Sequence, residues 1–104
     1  MPKAATTYQP HLLDPHAAEP QPVSPRNGRS FKLAELYVML DCRTVDVVRL
    51  SPELILIIDD EGTFRNPAYL NLLATYLWYH HQPEARGQDS IVGRAILCHD
   101  KQFR

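Results

Sequence analysis

Five consecutive large apolar side chains, Leu54-Ile55-Leu56-Ile57-Ile58, constrain this chain more than any other feature. Successive residues of a strand point to opposite faces. An unbroken apolar run of strand length therefore fits a strand covered on both sides. Residues 53–59 are expected to form the centre of a sheet. Residues 44–50 are a second β-branched run, in which Asp46 and Arg49 limit burial. Ser51-Pro52 separates the two runs, so a hairpin is the economical reading.

Helical spacing flanks this hairpin. Leu33, Leu36, Tyr37 and Leu40 recur at i, i+3, i+4 and i+7, which predicts a helix over 32–41 with Ser30 as its cap. Leu70, Leu73, Ala74 and Leu77 predict a second helix over 68–81. Asn66-Pro67 offers one N-cap and Asn71 a rival. Residues 91–98 read as the last strand, with Gly93 marking a bulge or a close backbone approach.

Proline sets the domain boundary. Pro2, Pro10, Pro15, Pro20, Pro22 and Pro25 crowd the N-terminal stretch, and each fixes φ and removes a backbone donor. Residues 1–22 are expected to be a disordered or extended tail, with at most an edge strand near Val23. Residues 23–104 are expected to form a single compact α+β domain. The order (β)αββαβ predicts a small antiparallel sheet of three to four strands with two helices on one face, in the ferredoxin-like manner.

Charge and composition narrow the function classes. Eleven Lys and Arg against twelve Asp and Glu leave a net charge of −1, so the basic excess of a nucleic-acid binder is missing. The predicted strands also lack the aromatics that an RNA-binding sheet would use. No apolar run reaches membrane-spanning length. The N-terminus lacks the layout of a signal peptide, and two cysteines are too few for a disulfide framework. A cytoplasmic location is expected.

Several groups carry reactive side chains, and each also has a plain structural explanation. Asp59, Asp60 and Glu61, with Asp46, could hold a magnesium ion, and would then support a small metal-dependent hydrolase. The plain reading is a solvated turn ending in Gly62. His80-His81 and Cys98-His99-Asp100 contain zinc-ligand types, but their spacing fits no recurring zinc motif. Cys42 and Cys98 are more naturally small buried residues than nucleophiles. Tyr69, Tyr76, Trp78 and Tyr79 place more rings on the second helix than one face can bury, so they form the candidate interaction surface. The expectation is a non-catalytic binding or regulatory module, with no cofactor and no metal. Its partner is a protein or a small molecule, and homodimerisation is compatible with it.

The order Phe31-Lys32-Leu33-Ala34-Glu35-Leu36, Asp59-Asp60-Glu61-Gly62, Asn71-Leu72-Leu73-Ala74-Thr75 and Asp89-Ser90-Ile91-Val92-Gly93 resembles the domain of unknown function 3846 family. The resemblance covers residues 23–104. It implies an accessory protein of a phage, plasmid or conjugative element acting in a bacterial host, and it brings no catalytic residues. It also implies that Asn71 caps the second helix and that Gly93 serves the final strand's backbone. Lys32 stands where the family usually has Ser or Thr, and Asp41-Cys42 replaces a common Gly-Gly pair.

Overall fold

A computed structural model describes residues 8–61, 69–87 and 89–103. The elements are β1 (His11–Leu13), β2 (Gln21–Pro22), α1 (Leu33–Leu40), β3 (Val45–Arg49), β4 (Leu54–Asp59), α2 (Leu72–His81) and β5 (Ala95–His99). Single 3-10 turns follow α2 at Pro83–Ala85 and β5 at Asp100–Gln102. No helix among the described residues is long and apolar enough to cross a membrane.

The class is α+β. Among the described residues the strands form a five-stranded antiparallel sheet in the order β2-β1-β5-β4-β3. Two features differ from the expected sheet. It has five strands rather than three or four, because β1 and β2 lie inside the segment expected to be a tail. Leu13 is buried there, and His11 pairs with Leu97 near the other end of the chain. The compact unit therefore begins before residue 23. The edge strand expected near Val23 is present at Gln21–Pro22, and the Val23 N–H donates to the Pro10 carbonyl. The strand order also departs from the ferredoxin-like pattern, because β5 lies between β1 and β4.

The helices lie on opposite faces of the sheet, which corrects the one-face arrangement. Strand alternation separates Ile55 and Ile57 from Leu54, Leu56 and Ile58. Leu36 and Leu40 of α1 cluster with Ile55, Ile57, Ile96 and Cys98. Ala74 of α2 clusters instead with Leu13, Leu56 and Ala95. The physical reason was present in the five-residue run: a strand apolar on both sides needs a cover on both sides. With both covers in place, Ile55, Leu56 and Ile57 are almost completely buried.

Local chemistry sets the helix ends. Ser30 is not the cap of α1; Lys32 is, and it has no side-chain acceptor to offer. Glu35 supplies the support instead, its carboxylate accepting from the N–H groups of Lys32 (3.0 Å) and Arg26 (2.8 Å). These bonds favour the charged form and hold its carboxyl below the usual range. Asp41 closes the helix in the left-handed region at φ 53°, which a short polar side chain tolerates. Thus Asp41 meets the backbone demand at the place where a glycine would be expected.

Candidate functional site

Asn71 is the hub that positions the second helix. It is 2% exposed, and its Oδ1 accepts from the Ala74 N–H (3.0 Å). Its amide nitrogen donates to the carbonyls of Leu13 (2.9 Å) and Gly93 (2.8 Å). One side chain thereby caps α2, joins it to β1 and joins it to the lead into β5. Asn66, the rival cap, lies outside the described residues. Thr75 adds a second pin, accepting from the Ile91 N–H at 2.9 Å.

Gly93 has φ 90° and open space where a Cβ would lie, so its conformation rather than crowding calls for glycine. Its N–H donates to the Tyr69 carbonyl (2.7 Å). It precedes β5 rather than lying inside it, since that strand starts at Ala95 and not at residue 91.

This anchoring turns small residues inward and large ones outward. Ala74 and Thr75 are the buried members of α2, while Leu72 is 72% and Tyr76 61% exposed. Leu73, Leu70 and Tyr69 are also exposed. The expected core stripe of Leu70, Leu73 and Leu77 therefore fails at its first two positions. The four expected surface rings divide in two. Tyr69 meets the His16 ring edge-on at 5.2 Å, and Tyr76 stacks on His80 at 6.0 Å. Trp78 packs against the α2-side core and donates its indole N–H to Gln82 Oε1 (3.3 Å). Tyr79 is half-buried, with its hydroxyl donating to the Asp89 carbonyl. Sequence reasoning missed Leu72, although α2 contains no Asp, Glu, Lys or Arg at all.

The acidic turn does not assemble a centre. Asp59 is buried and accepts from the Glu61 N–H (2.9 Å). Asp60 is exposed and donates its N–H to the Thr44 carbonyl (3.1 Å). Glu61 reaches Arg43 at 3.9 Å, a solvated contact. Gly62 lies outside the described residues. Asp46 accepts from the Val47 N–H (2.8 Å), and His99 Nδ1 from the Lys101 N–H (3.0 Å). Among the described residues, no group of three or more His, Cys, Asp or Glu is placed to hold a metal ion. Burial pushes the Cys98 thiol up to about 12, aided by the Asp100 charge, so it stays protonated and unreactive at neutral pH.

A cleft of about 350 Å³ opens at one end of the sheet, lined in part by Asp14, His16, Asp41, Asp59, Tyr69 and Arg94. Arg94 pairs with Asp14 at 3.4 Å and donates to the Met39 carbonyl (3.1 Å), so it ties the β1–β2 turn to the end of α1. Asp14, His16 and Arg94 come from distant segments and share no local motif, and only the fold brings them together.

The family model described as a domain of unknown function, DUF3846, matches residues 10–103. No curated protein and no solved structure matches the chain.

Proposed function

The chain belongs to the DUF3846 family, and on that premise we propose that it is a small non-catalytic binding or regulatory module. The observation that carries this reading is the exposed apolar face at the start of α2, formed by Tyr69, Leu70, Leu72, Leu73 and Tyr76. Contiguous apolar surface of this kind on a small protein marks a contact site. Aromatic side chains give large contact area at low entropic cost. The face is held out by hydrogen bonds from Asn71 and Thr75, so a partner meets a preorganised surface.

The resemblance to mobile-element proteins supports a place for this module in the cytoplasm of a bacterial host, encoded by a phage, plasmid or conjugative element. The genes flanking it on the source replicon test that part of the reading. A chromosomal housekeeping operon would overturn it. The binding role is tested by immobilising the wild-type chain and a Leu72→Ser/Tyr76→Ser variant and exposing both to host lysate and to a nucleotide and metabolite panel. The expected result is a species retained in stoichiometric amount by the wild type and lost in the variant. Equal retention by both, or none by either, would count against the surface.

A further inference from the structure

Resting on that binding surface, we propose that the partner of the exposed α2 face is a second copy of this chain, joined by a two-fold helix pair. Three observations point to this occupant. The first is spacing. Leu73, Tyr76 and His80 follow i, i+3 and i+7 on the outer side of α2, with Leu72 and Tyr76 one turn apart. This is the seam that one helix presents to another. About a two-fold axis near Tyr76, Leu73 of one copy meets the last turn of its mate.

The second observation is chemical. The ten residues of α2 carry no Asp, Glu, Lys or Arg, and its two histidines lie in the last turn, so Leu72, Leu73 and Tyr76 offer no charge to a partner. The apolar part of the stripe, Leu72, Leu73 and Tyr76, is complementary to its own copy. With aromatic side chains offering roughly 150–250 Å² each, the exposed fractions of Tyr69 and Tyr76 amount to about 200 Å², and Leu70, Leu72 and Leu73 bring the whole face to on the order of 500 Å² per copy. Two copies that covered it completely would bury at most about twice that, at the ~1,000 Å² lower bound for a specific interface.

The third observation is that both sheet edges are partly blocked against an identical chain. The Asp60 N–H bonds the Thr44 carbonyl and the Leu50 N–H bonds the Leu54 carbonyl, so alternate residues of β3 face β4. Val45, Val47 and Arg49 therefore turn their backbone groups outward. Asp46 takes the Val47 N–H, and the Gln82 amide donates to the Arg49 carbonyl. The opposite edge is the two-residue β2, where Pro22 has no N–H to give. A continuous strand-to-strand ladder between copies is disfavoured at both edges, and the α2 face has no such obstacle.

Sedimentation equilibrium of the full chain, from low to high micromolar, tests the proposal. The expected mass rises from 11.9 kDa toward the dimer, with a midpoint on the order of tens of micromolar, as suits the smallest specific interfaces. Tyr76→Glu should remain monomeric with an unchanged circular dichroism spectrum. A wild type that stays monomeric throughout, or a dimer that survives Tyr76→Glu, overturns the second-copy assignment. Bis-ANS fluorescence on the same samples separates the two ideas. Dye binding to a monomeric wild type, lost in Tyr76→Glu, overturns the dimer while leaving an exposed docking face. No dye binding to a monomeric wild type removes both.

Discussion

On one face of the sheet, Phe31, Leu36 and Leu40 press against Ile55, Ile57 and Ile96, and that layer is almost wholly apolar. On the other face, α2 contributes Ala74 to the buried cluster and relies on Asn71 and Thr75, both buried and both hydrogen-bonded. The α1 side is held by volume, whereas the α2 side adds directed bonds at the helix start to its apolar packing. A helix fastened by bonds at its start can leave the large side chains of that first turn out of the core, while Leu77 and Trp78 further along pack against it. That difference leaves Leu72 and Tyr76 outside and available.

The largest expected effect breaks the α1 side. Phe31→Ala leaves a cavity between α1 and the sheet and should cost about 4 kcal/mol in urea unfolding. On the α2 side, Asn71→Ala removes a helix cap and the buried amide that donates to the carbonyls of Leu13 and Gly93, and should cost about 3 kcal/mol. Asn71→Asp sharpens the contrast. It retains the acceptor for the Ala74 N–H but loses both donors, so it should recover little. If either Asn71 variant were as stable as the wild type, the bond-held description of this face would fail.

A smaller effect distinguishes the helix starts. Glu35→Gln should cost about 1 kcal/mol at neutral pH through the weakened bonds to Lys32 and Arg26. Because folding lowers the pKa of Glu35, its stabilisation is complete above the usual value of 4.5 and is lost as pH falls through the folded value. The gap between wild type and variant should therefore close in acid, and a constant gap would argue against the charge. Smallest of all, Leu72→Ser should shift the stability of the monomer by less than about 0.5 kcal/mol, since its side chain contributes little to the core. A loss as large as that of Phe31→Ala would mean the α2 face is structural.

Local pattern made several elements legible. The apolar run at Leu54–Ile58 is an interior strand covered on both faces, although β5 and not this strand is the middle one; Val45–Arg49 is its hairpin partner, and Asn71 caps α2 as its side-chain chemistry suggests. β1 could not be read in the same way. Three residues between prolines carry almost no propensity, and their partner β5 lies near the far end of the described residues. The outward turn of Leu70 and Leu73 was hidden for a related reason. Helical spacing reports which residues share a face, whereas Asn71 and Thr75 determine which face meets the sheet. The cleft at Arg94 depends on three segments meeting and has no counterpart in the linear order.

The position of β5 has a consequence for how the protein is made. The middle strand of the sheet is the last of the five to leave the ribosome, while its neighbours on both sides are translated well before it. Until His99 has emerged, the hairpins β1–β2 and β3–β4 have nothing to join them, and Leu56 and Ile57 lack their cross-strand partners Leu97 and Ile96. The two halves of the sheet thus wait on synthesis of that strand, and nascent chains halted before it would be natural clients for chaperones and proteases.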